Sequence, residues 1–344
     1  MFLLSSNNVI CNTTVHQQQN LNGVDLIKFL CSILVFIIHV SPFQGELSGF
    51  ARIVTFGLQH YICRIAVPFF FTCSGFFLFK NMSFYNPSTD RIKKYCFKIL
   101  RLFGTWQILL FIGYTEHLWY LGATVIAIAL LNLCLHFRLK IKFICLTASL
   151  LYIVGLLGDS YYRLVAPLEN ITFFEYLFKS YEFAFDTTRN GVFMGFIFVL
   201  MGAAFSHCKV TPKPLTSITG FVISMICLFG EICLIKYYDT ATSYNMYIFL
   251  VPSVYFLFSF ACTIHLKDHN VYKHLRTIGT LVYFLHIFIN EIVSLALNAL
   301  DNCFGLCFTQ YLFIISLTFT LLTAMCLNYL SCKDRFKWIN WLTS

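Results

Sequence analysis

Ten apolar runs of membrane-spanning length, centred near residues 32, 71, 106, 126, 149, 198, 227, 256, 287 and 320, follow one another along this 344-residue chain. Inside hydrocarbon a backbone N–H or C=O has no water to bond, so segments of this kind satisfy themselves as helices. The fold class is therefore all-α, a polytopic membrane protein of about ten transmembrane helices. Composition agrees: 58% of residues are hydrophobic and 11% charged, against roughly 25% charged in soluble domains.

Basic residues orient the spans. They cluster at Lys80, Arg91, Lys93, Lys94, Lys98 and Arg101, at Arg138, Lys140 and Lys142, at Lys209 and Lys213, at Lys267, Lys273 and Arg276, and at Lys333, Arg335 and Lys337. These are alternate connections and mark the cytoplasmic side. The opposite loops carry Glu46, Glu116, Asp159, Glu169, Glu175, Glu182, Asp186, Asp239 and Asp301. Both termini are then cytoplasmic. Topology accounts for the +9 formal charge without nucleic acid, for which no basic and aromatic groove pattern is present. The fifteen cysteines lie mostly singly in apolar segments with no C-x-x-C pair, and read as small core hydrophobes.

Residues 1–20 lack the basic start and continuous apolar core of a signal peptide and are expected to form a mobile cytoplasmic tail. Residues 21–332 form the membrane domain and 333–344 a basic cytoplasmic tail. One outer loop, about 158–189, is long, aromatic and acidic. It reads equally as a re-entrant lid over an outward cavity or as an interfacial anchor.

Polar residues inside the spans narrow the function. Asp25, Lys28, Ser32 and His39 fall on one stripe of the first helix, with Lys28 and His39 about 16 Å apart along it. Sidedness puts Lys28 inward and His39 outward. Arg64, Glu116-His117-Leu118-Trp119-Tyr120, Arg189-Asn190 and Glu231 reach the same outer level. Tyr283, His286 and Asn290 join them on one face of the ninth span. Arg64 also reads as a snorkelling anchor, His117 and Trp119 as interface-belt residues, and His286 as a structural hydrogen bonder. Glu231 and Glu291 read as solvated. Gly191 and Gly195, four apart, read as a helix-packing patch rather than a phosphate loop.

A histidine such as His39 can accept a proton from a hydroxyl at neutral pH, with an acid such as Glu116 holding its tautomer. Metal-ligand spacings are absent, and Ser74-Gly75 is not in a G-x-S-x-G turn. Acyl transfer with a histidine base fits these residues.

The stretch from Val24-Asp25-Leu26-Ile27-Lys28 to His39 resembles the first-helix signature of the acyltransferase-3 family of membrane O-acyltransferases. Pro68-Phe69-Phe70-Phe71-Thr72-Cys73-Ser74-Gly75-Phe76, His117-Leu118-Trp119-Tyr120-Leu121 and Tyr283-Phe284-Leu285-His286 resemble later elements of it. Where that family commonly has Arg, with ten residues between it and its histidine, this chain has Lys28, which keeps the charge without the planar fork.

The resemblance implies transfer of an acetyl group from cytoplasmic acetyl-CoA, a co-substrate rather than a permanently bound cofactor, to a hydroxyl of an envelope glycan or lipid-linked sugar. His39 and Glu116 would be catalytic. Lys28, Asp25, Arg64 and Ser74 would bind the acyl-CoA donor, and His117, Trp119, Arg189 and His286 the acceptor. The expected setting is the lipid bilayer of a bacterial inner membrane. The membrane domains attached to serine and alanine racemases in glycopeptide resistance look similar too. They imply a second class, a transporter of an amino acid or other small solute, in a chain expected to lack the racemase domain itself. A third class is a scaffold or regulator of an envelope-polymer pathway.

Overall fold

A computed structural model describes residues 21–43, 48–110, 116–172, 175–176, 179, 185, 187–207, 213–264, 266–267, 269–305 and 307–343. The expected tail at 1–20 and most of the loop between 173 and 186 lie outside these residues. Among the described residues the chain is helical and contains no strand. Its main helices are α1 (Asn22–His39), α2 (Gly49–His60), α3 (Ala66–Phe79), α4 (Thr89–Leu109), α5 (Trp119–His136) and α6 (Ile141–Leu157). A short α7 (Tyr162–Val165) precedes α8 (Phe196–His207), α9 (Pro214–Tyr237), α10 (Leu250–Thr263), α11 (Val271–Phe304) and α12 (Leu312–Ser331).

Each of the ten expected centres falls inside a helix. By length and apolarity, however, six segments qualify as spans: Asn22–His39, Gly49–Phe79, Trp119–His136, Pro214–Tyr237, Val271–Phe304 and Phe308–Ser331. A seventh arises if Ile141–Leu157 and Tyr162–Asn170, bent by 88°, count as one. Three further helices at expected centres fall short of this measure, for two physical reasons. Helix α4 carries Asp90, Arg91, Lys93, Lys94, Lys98 and Arg101, so its first half is too polar for hydrocarbon. The segments Gly191–His207 and Leu250–Thr263 are apolar but short, because both begin at a polar centre inside the bundle.

Helix α3 is apolar on every side, the pattern of a helix enclosed by others. It packs most extensively on α8, and two glycines permit that approach. A Cβ on Gly75 would stand 2.1 Å from the Val199 carbonyl oxygen, and one on Gly202 would stand 1.9 Å from that of Thr72. On the other side α1 lies along α11, with Gly279 against Phe29 and Ser32, and touches α10 where Gly23 meets Ala261. Gly191 and Gly195 behave as read from their spacing, packing on Ala123 and on Phe71 respectively.

The basic segment after α12 is folded back. A 3-10 helix (Asp334–Leu342) buries Ile339, receives a 3.0 Å hydrogen bond from Trp106 Nε1 at the Leu342 carbonyl, and stacks Trp341 under the Arg101 guanidinium. Trp106 in turn lies flat on Phe284, ring centres 4.6 Å apart. Among the described residues every cysteine is a free thiol; Cys31, Cys63, Cys73 and Cys134 are buried.

Candidate functional site

The segment Gly49–Phe79 is a broken helix, and the break creates the site. Pro68 in the first turn of α3 has no N–H for the Arg64 carbonyl and disfavours a continuous helix there. The chain instead turns through a 3-10 helix at Ile62–Ile65, which puts Arg64 at an interruption within the bundle. Its guanidinium donates from Nη1 to Asn245 Oδ1 at 2.7 Å, and Nη2 lies 3.0 Å from His60 Nδ1.

Asn245 is held by Asp159. That carboxylate is fully buried and accepts hydrogen bonds from Ser160 Oγ (2.9 Å), Ser243 Oγ (2.5 Å), Asn245 N (2.8 Å), Asn245 Nδ2 (2.9 Å) and Met246 N (3.1 Å). Five donors replace the water that a buried carboxylate loses. Tyr247 follows, donating its hydroxyl to the His60 carbonyl at 2.9 Å. Burial raises the Tyr247 phenol above the ordinary range, so it stays a donor.

Glu231 repeats the device. Its carboxylate accepts from Ile248 N (2.7 Å), Phe249 N (2.9 Å) and the Tyr161 hydroxyl (2.6 Å), capping the start of α10. The solvated reading of Glu231 is therefore corrected: the residue is 6% exposed. The free N–H groups of α10 supply the reason.

A cavity of about 30 Å³ opens against Arg64 and is lined by His39, Val67, His117, Trp119, Arg189, Met194, Asn245 and Tyr283, with Val35 and Ile38. Three helical segments start on its wall, at Arg64–Val67, at His117–Trp119 and at Arg189–Met194. Asn190 caps the last of them, its Oδ1 accepting from the Val192 and Phe193 N–H groups, and the helix opens there as a π-turn, Gly191–Gly195. Helix starts present N–H groups and a positive field. Two guanidiniums add to it, Arg189 also lying over the Trp119 ring at 4.9 Å. Among the described residues no carboxylate lines the cavity. The chemistry on offer is recognition of a small anionic group.

Three imidazoles cluster here, His39 and His117 on the wall and His286 behind it. Ring centres are 5.2 Å apart for His39 and His286, 5.0 Å for His117 and His286, and 6.4 Å for His39 and His117. His39 is exposed at the cavity mouth, whereas His117 and His286 are buried. Tyr283 fixes the His117 backbone by donating to its carbonyl at 2.6 Å. Among the described residues no cluster of histidine, cysteine or carboxylate is arranged to hold a metal ion.

Of the residues singled out from sequence, His39, Arg64, His117, Trp119 and Arg189 meet at the cavity, with His286 directly behind. Three do not. Asp25 and Lys28 sit a helix-length away, Asp25 facing Arg276 at 3.8 Å and Lys28 over the Phe77 ring at 5.8 Å. Ser74 pairs with the Tyr120 hydroxyl at 3.1 Å. The side chain of Glu116 lies outside the described residues; its backbone belongs to the 3-10 turn Glu116–Leu118 beside His117. Sequence reasoning missed Asn245 and His60, and treated Asp159 only as one of many outer acids. The signal available was the polar stretch Thr240–Asn245 between two apolar runs.

Comparison with known proteins adds a second line of observation. An amino-acid racemase of Enterococcus faecalis is 31% identical over 272 residues, covering 71% of this chain and 36% of the relative. A serine/alanine racemase of Enterococcus gallinarum is 28% identical over 316 residues, 81% of this chain and 43% of the relative. The chain thus spans less than half the length of these curated relatives. No family model and no solved structure matches it. The relatives are named racemases, not O-acyltransferases, and this overturns the acyltransferase-3 resemblance. With it go the O-acyltransferase activity, acetyl-CoA as co-substrate, and the glycan or lipid-linked acceptor.

Proposed function

We propose that this chain is a membrane carrier for a small carboxylate-bearing solute, an amino acid such as serine or alanine. The observation that carries the reading is the pairing of Arg64 and Arg189 on one cavity at a helix break, where three helical segments begin. Interrupted helices whose starts and side chains converge within a bundle are the usual way transporters bind an anionic group away from water. Arg64 and Arg189 bind the carboxylate, Asn245 aims Arg64, and His39, His117 and Trp119 complete the wall. The names of the relatives point to amino acids as the solute class, and the matched portion of each is shorter than the whole relative, as expected of a membrane part joined to something else. The cavity as it stands has room for about one water. It is a closed state, and loading requires the wall to part.

In this reading ten helices cross a bacterial plasma membrane with both termini on the cytoplasmic side, following the basic clusters. Asp25, Lys28 and Arg276 form the inner end of the α1–α11 seam and close the path below the cavity.

Uptake of labelled L-serine and L-alanine into proteoliposomes tests the proposal. Protein-dependent accumulation that falls at least about tenfold in Arg64→Ala, and is partly restored in Arg64→Lys, is the expected result. Recovered solute should keep its configuration. Absence of uptake by the intact protein, or recovery of racemised solute, would sink the carrier reading.

A further inference from the structure

Where a solute carboxylate enters a cavity lined by two arginines, a nearby proton acceptor without a donor changes what else must move. His286 is such an acceptor. Its Nδ1 lies 2.9 Å from the Tyr283 carbonyl and 3.1 Å from that of Val282. Carbonyl oxygens only accept, so Nδ1 holds the ring's proton and Nε2 is left as a bare lone pair. That atom is buried in a residue with no exposed surface, and it has no hydrogen-bond partner among the described residues. A buried acceptor left without a donor is rare in a resting structure. Its ring sits between those of His39 and His117, and His39 reaches the cavity mouth.

We propose that the carrier takes up one proton together with each solute molecule, and that the proton is held on this imidazole trio with His286 Nε2 as its acceptor. The inference rests on the carrier reading above. Among the described residues, these groups face the trio from each packed element. From α1 comes His39; from the break in Gly49–Phe79, Arg64 with His60 beyond it; from the turn before α5, His117. The segment before α8 brings Arg189, the stretch before α10 brings Asn245 with Asp159 behind it, α11 brings Tyr283, and α12 brings Phe313 against Phe36. Among the described residues, the charged groups at the cavity wall itself are thus two guanidiniums.

A proton on the trio of an empty site would be a third positive charge in a confined, poorly screened space. A bound carboxylate cancels one of them. Solute therefore favours the proton, and by reciprocity the proton favours the solute. The step is balanced: hydronium at the mouth gives up a proton, passed by His39, an N–H bond forms at His286 Nε2 to make an imidazolium, and that bond breaks again as the proton goes to water on the other side when the solute leaves.

Proteoliposomes holding a pH-sensitive dye read the coupling directly. Adding L-serine outside should acidify the lumen in step with uptake, by about one proton per solute. Uptake at constant lumen pH, or with alkalinisation, overturns this inference and leaves the carrier reading intact; no uptake removes both. Calorimetric titration of the detergent-solubilised protein with L-serine, in two buffers of different ionisation enthalpy, should show about one proton absorbed per solute bound near pH 7.5. In His286→Gln that ratio should drop to near zero, and in His39→Gln lumen acidification should slow at least tenfold relative to the calorimetric ratio. A ratio near zero in the unmodified protein overturns the proposal whatever the variants do.

Discussion

Asn245 accepts a 2.7 Å hydrogen bond from Arg64 across 181 residues of chain, and this single contact aims the guanidinium at the cavity. Replacing the amide by a methyl in Asn245→Ala leaves Arg64 with His60 as its remaining hydrogen-bond partner and removes one of the five donors to Asp159, the side-chain Nδ2, while the backbone N–H stays. The expected outcome is a rise of about tenfold in KM for L-serine uptake with a small fall in maximal rate. Radiolabel uptake at graded solute concentrations checks it, and an unchanged KM would mean that Arg64 needs no aiming.

Asp159 carries a structural load as well. With five donors converging on a buried carboxylate, Asp159→Ala should destabilise the protein by about 3 kcal/mol or more, because most of these donors lose their acceptor. Thermal unfolding in detergent measures this. A melting temperature within a degree of the parent would contradict the role.

Close helix packing makes a sharper contrast. Gly202→Ala drives a Cβ to 1.9 Å from the Thr72 carbonyl oxygen, whereas Gly122→Ala on α5 meets nothing within 4 Å. The first change should cost about 1–3 kcal/mol and the second should be neutral or slightly stabilising. Equal effects in the same unfolding assay would argue against the α3–α8 contact as described.

Glu231 gives a capping test. Glu231→Ala strips the acceptors from Ile248 N and Phe249 N at the start of α10 and should cost about 1–3 kcal/mol, with Glu231→Gln retaining part of the loss because one amide oxygen still accepts. Amide hydrogen exchange at residues 248–252 should accelerate first in the alanine variant. Exchange confined to distant helices would be the contrary result.

The folded-back end of the chain can be released on its own. Trp106→Phe removes the hydrogen bond to Leu342 and keeps an aromatic ring on Phe284. Limited trypsin digestion should then cut at Lys333, Arg335 or Lys337 several times faster, with the remaining helices as resistant as before. Cleavage at the parent rate would show that Trp106 does not secure the segment.

Much of the fold was legible because the signals are local. Apolar runs of spanning length located the helices, and glycine spacing identified the Gly191–Gly195 contact. The polar interruptions at Arg64, His117 and Arg189 marked residues that meet. Legibility failed where an answer depended on a partner far along the chain. Glu231 looked solvated, since nothing near it in sequence reveals the N–H groups it caps. Ser74, Lys28 and Asp25 lie apart from the cavity, which the sequence could not show, because depth along a helix is readable while the neighbouring helix is not. The functional class failed differently: the motifs of α1 and α3 describe a membrane scaffold, and reading an acyl transfer into them went beyond what those motifs carry.

By itself the sequence determined that this chain is helical, with segments long and apolar enough to cross a membrane, and which polar residues those helices must carry through apolar surroundings, because hydropathy and a 3.6-residue period are properties of consecutive residues. Only the tertiary structure decided that Arg64, Arg189, His39 and His117 share one cavity, that Asp159 reaches Arg64 through Asn245, and that His286 keeps an unshared lone pair behind them. Those relations join segments distant in the chain, Asp159 and Asn245 lying 86 residues apart and Arg64 and Asn245 181. Helix packing fixes them through close contacts such as Gly75 on Val199 and Gly202 on Thr72, and no local pattern encodes which helices will meet.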